Sequence, residues 1–86
     1  MSKENSIELL ISPEVANLLE NRLILVEDVR EVIAHAEATG EKIQNTLTGR
    51  YLASHRPTAV RYWVEYTALE TGFVVHNAYC HMREIS

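Results

Sequence analysis

Residues 60–82 read VRYWVEYTALETGFVVHNAYCHM, and this stretch decides the fold. Val60, Tyr62, Val64 and Tyr66 alternate with Arg61, Trp63, Glu65 and Thr67. Successive strand residues point to opposite faces, so this is the pattern of a half-buried strand. Phe73–Met82 is the return strand of a long hairpin. A loop of Glu70, Thr71 and Gly72, with Gly72 left-handed, closes it by pairing Leu69 with Phe73. The register then follows. An inner face pairs Tyr66 with His76, Val64 with Ala78, Tyr62 with Cys80 and Val60 with Met82. An outer face pairs Thr67 with Val75, Glu65 with Asn77, Trp63 with Tyr79 and Arg61 with His81. A slip of one residue turns a strand over.

Towards the N-terminus, Arg56-Pro57-Thr58 makes a turn, since Pro57 cannot donate to a sheet. Arg50–His55 is a further strand, Thr46–Gly49 a turn, and Glu41–Asn45 a possible fourth strand. If His55 pairs with Ala59, Leu52 lies beside Tyr62 on the inner face and Tyr51 beside Trp63 on the outer face. Val26, Val29, Val32, Ile33 and Ala36 recur at helical spacing, and Gly40 ends a helix over Val26–Thr39. Its remaining face, Asp28, Glu31 and His35, reads as solvated. Ser12-Pro13-Glu14 starts a shorter helix that ends near Asn21. Ile7–Ile11 is an edge strand or the lead-in to that helix, and residues 1–6 are polar and loose. The expected fold is α+β in one domain. Two helices in the 12–39 part pack on one face of a three- to four-stranded antiparallel meander over residues 41–84.

At 86 residues, the chain is too short to cover a sheet on both faces. The net charge of −4 gives no electrostatic reason to expect nucleic acid or an anionic membrane. One cysteine gives no internal disulfide and fits a reducing cytosol. The first six residues lack the apolar core of a signal peptide, and no run is long enough to cross a bilayer.

The outer face is the strongest candidate site. Tyr51, Trp63 and Tyr79 form a row across three strands, with Arg61 and His81 beside it and Glu65 and Asn77 beyond. Rigid aromatic rings among a few polar groups suit protein docking. Ordinary cross-strand aromatic pairs on an exposed sheet are the plainer explanation. An inner pocket near Tyr66 and His76 is the alternative, for a small ligand or an enzyme. A satisfied core histidine bonded to Tyr66 is again the plainer account.

No catalytic residue and no metal site is expected. His76 and Cys80 share a face but lie ~13 Å apart along the strand, and His81 points the other way, whereas zinc needs every ligand within ~2.3 Å of one ion. Only a bulge, or His35 and His55 converging on the strand, would change that. Cys80 reads as a small core residue and Thr48-Gly49-Arg50 as a plain turn. Glu65 has no second acid beside it for acid–base work and pairs more simply with Arg61.

Arg56-Pro57-Thr58-Ala59-Val60-Arg61-Tyr62-Trp63-Val64-Glu65-Tyr66, followed by Val75-His76-Asn77-Ala78-Tyr79-Cys80-His81-Met82, resembles a small bacterial family associated with anaerobes. The similarity runs from about Ile24 to Ile85, and the two hairpin strands carry nearly all of it. The family is associated with pyridine nucleotide-disulfide oxidoreductases that carry flavin and iron–sulfur centres. The resemblance implies a cytoplasmic accessory to redox metabolism and no catalytic residues. The chain itself has no glycine-rich dinucleotide loop and no cysteine cluster, so no cofactor of its own is expected. The function expected is a non-catalytic interaction module. Its partner is a second copy, as a homodimer, or a larger oxidoreductase. Base stacking on the aromatic face is the weakest reading, given the acidic charge.

Overall fold

The computed structural model describes residues 7–56 and 60–82. The expected looseness of residues 1–6, the turn at Pro57-Thr58 and the last two residues of the 41–84 sheet lie outside them. The elements are β1 (Leu9–Leu10), α1 (Pro13–Asn21), α2 (Val26–Thr39), β2 (Lys42–Gln44), β3 (Tyr51–His55), β4 (Val60–Ala68) and β5 (Phe73–Met82). The strands form one sheet in the order β1-β5-β4-β3-β2. The fold is α+β, but the sheet is not a three- to four-stranded antiparallel meander. It has five strands and one parallel pair, β1 with β5. Glu41–Asn45 does contribute a strand, β2, at the far edge.

Both helices begin and end where the sequence signals put them. The Ser12 hydroxyl accepts from the Val15 N–H at 3.2 Å, and Pro13 stands in the first turn of α1. The Asp28 carboxylate accepts from the Leu25 N–H at 3.1 Å at the start of α2. Gly40, at φ 79°, caps its end with an N–H bond to the Ala36 carbonyl. Such acid and cap placements satisfy backbone groups that a helix end leaves open.

The two helices cover one face of the sheet. Val15 and Leu19 of α1, Ile24, and Val29, Val32, Ile33 and Ala36 of α2 bury against Ala53, Val64, Tyr66, Val75 and Ala78. Ile7, Leu9 and Ile11 alternate inward and complete one rim of this core. Tyr66 is wholly buried, and its hydroxyl donates to Glu37 Oε2 at 2.8 Å. Lys42 Nζ reaches the same carboxylate at 2.5 Å and lies 4.3 Å from the centre of the Tyr51 ring. Burial works to raise the Glu37 pKa, but Lys42 and the Tyr66 hydroxyl outweigh it and hold the carboxyl below its ordinary value.

A loop length and a bulge set the register of the hairpin. In the hairpin, Leu69 and Gly72 bond each other across Glu70-Thr71, so the loop is one residue shorter than expected. Gly72 is not left-handed. Glycine fits there because Glu8, just before β1, passes over it: a Cβ would lie 2.7 Å from the Glu8 carbonyl oxygen. The shorter loop pairs Tyr66 with Val75 instead of His76. A bulge between Glu65 and Tyr66 restores the expected pairing, from Glu65 with Asn77 to Val60 with Met82. β3 and β4 pair Tyr51 with Tyr66 and His55 with Tyr62, three residues from the expected alignment. An odd offset reverses the faces. Tyr51 therefore lies on the helix side and Leu52 on the open side.

α1 ends in a Schellman turn: the Ile24 N–H bonds the Leu19 carbonyl and the Leu23 N–H bonds that of Glu20. The left-handed residue in it is Leu23, at φ 57°, with its side chain 88 % exposed. A branched residue there costs about 1–2 kcal/mol of backbone strain. Leu23→Gly is therefore expected to raise stability by about 1 kcal/mol, seen as a rise of roughly 5 °C in thermal midpoint. Gly72→Ala is expected to do the reverse, by about 1–3 kcal/mol, because backbone must move to admit the Cβ. Amide exchange at Phe73, whose N–H bonds the Glu8 carbonyl at 2.9 Å, should accelerate in that variant.

Candidate functional site on the open face of the sheet

Strand alternation puts a second set of side chains on the face that neither helix covers. Rows across the strands follow from the registers. Ile43, Leu52, Glu65 and Asn77 make one row. Ser54, Trp63 and Tyr79 make the next, and Arg61 with His81 the third. Trp63 and Tyr79 lie nearly parallel, with ring centres 6.2 Å apart. The Arg61 guanidinium is 5.9 Å from the Trp63 ring, and its Nη1 donates to Ser54 Oγ at 3.2 Å. Ile43 is 69 % exposed and Tyr79 39 %.

Of the expected site residues, Arg61, Trp63, Glu65, Asn77, Tyr79 and His81 share this face. Tyr51 does not. Its ring lies 5.7 Å from that of Tyr66 on the helix side, and Leu52 stands in the outward position instead. Glu65 pairs with Arg50 at 3.4 Å and not with Arg61. Asn77 turns its side chain to the open side of β5. Its Oδ1 accepts from the Ala78 N–H and from Arg22 Nη1, which also donates to the Ala78 carbonyl at 2.7 Å.

The alternative pocket of Tyr66 and His76 does not form, because the bulge separates them. Tyr66 points into the core, whereas His76 Nε2 bonds Thr67 Oγ1 at 2.7 Å on the open face. Burial of the His76 ring lowers its pKa from 6.5, the nearby Arg50 lowers it further, and Glu65 pulls the other way. Cys80 is exposed, not a core residue. It lies towards the far end of an outer strand, beyond the buried stretch that ends at Ala78.

Ile43, Asn45, Arg50, Leu52, Glu65, Asn77 and Tyr79 line a shallow concavity of about 370 Å³ on the open face, and Tyr51 also borders it although its ring packs on the helix side. Ile43, Leu52 and Arg50 are functional candidates that sequence reading missed. The alternation over 50–55 was visible, but both of its faces are mixed, so it could not be oriented. Also missed was a cluster between α2 and β3. His35 and His55 stack with centres 4.3 Å apart, His35 contacts Glu41 at 3.0 Å and His55 contacts Glu31 at 3.3 Å. The α2 face expected to be solvated is thus engaged. No group of three or more His, Cys, Asp or Glu that could hold a metal occurs among the described residues. Among them, no helix is long and apolar enough to cross a membrane.

No protein-family model matches the chain, and no curated protein or solved structure is significantly similar to it. The functional reading therefore rests on the face itself.

His76 supplies a probe of this face. A base whose pKa is lowered by folding adds stability above its unfolded value, and that stability is lost as pH falls through the folded one. The His76 contribution is thus complete above pH 6.5 and declines below it. Proton NMR should place the His76 midpoint below that of a free histidine. Arg50→Met, which removes the cation and leaves Glu65, should move the midpoint up. A midpoint unmoved by this change would mean that Arg50 does not act on the ring.

Proposed function

We propose that this chain is an interaction module that docks on a protein partner through the open face of its sheet. The observation that carries the reading is the Trp63–Tyr79 stack, which lies uncovered between Leu52 and Ile43 on one side and Arg61 on the other. Aromatic rings fixed by cross-strand neighbours bury area on docking with little further loss of side-chain freedom. The surrounding charges, Arg50, Glu65 and Arg61, form a polar rim, and the adjoining concavity offers a seat for a partner side chain. A reducing cytoplasm suits a chain whose one cysteine is exposed. The partner classes that fit are a second copy of the chain and a larger oxidoreductase of the kind that the sequence resemblance implies.

The test is capture from native cell extract with tagged wild-type protein and tagged Trp63→Ala. Wild type should retain a protein partner, its own untagged copy included. The variant should lose that partner while circular dichroism shows the same fold. Equal retention by both proteins, or no retained partner at all, would overturn the reading.

A further inference from the structure

We infer that the partner is a second copy of this chain, packed face to face about a two-fold axis running across the strands through the Trp63 row. The inference rests on the docking reading of the open face and gives that face its occupant.

The argument is the order of charges on β4. Arg61, Trp63 and Glu65 follow one another at every second residue of this strand, and all three point to the open face. A two-fold axis through Trp63 and perpendicular to β4 reverses that order in the second copy. Arg61 then meets Glu65 of the second copy, Glu65 meets its Arg61, and the two indole rings meet at the centre. Each charge pair occurs twice, as an isologous contact requires. Sheets packed face to face lie about 10 Å apart, which leaves room for interleaved aromatic side chains.

The cation is available for this contact. Arg61 is exposed and donates to a serine hydroxyl, Ser54 Oγ. Glu65 already accepts from Arg50 at 3.4 Å, but a carboxylate has lone pairs for a second guanidinium. Within the Trp63 row, Tyr79 stands beside Trp63 on β5 and widens the apolar centre across the strands. The size of the face is consistent with a reversible dimer. Four strands about 4.8 Å apart, with rows about 7 Å apart, give a patch roughly 20 Å square. With the relief of its side chains, that reaches on the order of 600 Å² per copy, the low end for a specific interface. Micromolar affinity is expected.

Sedimentation velocity over a wide concentration range gives the test. Wild type should pass from one-chain to two-chain mass in the micromolar range. Trp63→Ala should raise the dissociation constant at least about tenfold. Arg61→Glu sets Glu against Glu in a self-pair, and Glu65→Arg sets Arg against Arg, so each variant alone should dimerise at least about tenfold more weakly. Mixing these two variants rebuilds both opposite-charge contacts and should restore dimer to near the wild-type level. Combining both changes in one chain should do the same. Circular dichroism checks that each variant keeps the fold.

A wild type of one-chain mass at every concentration, or a mixture no tighter than its components, would overturn the second copy as occupant. If extract capture still loses a partner with Trp63→Ala in that case, the face docks on another protein and the docking reading stands. If both experiments fail, both readings fall.

Discussion

Two helices of 9 and 14 residues cannot cover both faces of a five-stranded sheet. Every other feature of this chain answers to that constraint. The covered face receives the aliphatic residues and the smallest ones: Ala36 and Ala53 are as buried as Val29 and Ile33, so helix and sheet lie close. Tyr66 is the largest side chain in that core, and its hydroxyl would be costly there without a partner. Glu37, at the rim of α2, supplies one, and Lys42 holds Glu37 in place. The uncovered face keeps its aromatic rings, since a strand that alternates must send half of its residues there whatever their polarity.

The polar contacts around α2 have a common direction. Glu31 with His55, and Glu37 with Lys42 and Tyr66, tie that helix to β3, β2 and β4, and His35 with Glu41 ties it to its own C-terminal exit. The three ion pairs are partly exposed and individually weak. β5 is held differently, by α1 and by Arg22 at its end, with no ion pair of this type among the described residues.

Much of this was legible in the sequence, for reasons that can be separated. Helix limits were legible because caps are local: Ser12, Asp28 and Gly40 act on backbone groups within a turn of themselves. The distal half of the hairpin was legible because Val60–Glu65 alternates cleanly. The proximal half was not, because it depends on a loop length and on a bulge that each shift the pairing by one and then cancel. β3 was oriented wrongly for a related reason. Tyr51-Leu52-Ala53-Ser54-His55 carries apolar and polar residues on both faces, so nothing in it distinguishes inside from outside. Its orientation is fixed by Ala53, the residue small enough to lie wholly buried in that strand. Ile7–Ile11 stayed open between an edge strand and the lead-in to α1 because so short a run has no period; Leu9–Leu10 within it is the edge strand. The β4 and β5 residues expected to share one face therefore do share it, and Tyr51, where the error in β3 entered, does not.

Arg22 has a consequence of another kind. Among the described residues, β1 pairs with only two residues of β5, and no other strand lies along that side of the ten-residue strand. An open strand is a template on which further chains can add without limit. Arg22 occupies the Ala78 carbonyl and Asn77 occupies the Ala78 N–H, which removes both ladder groups in the middle of that template. Strand addition along this edge is thereby disfavoured at its centre.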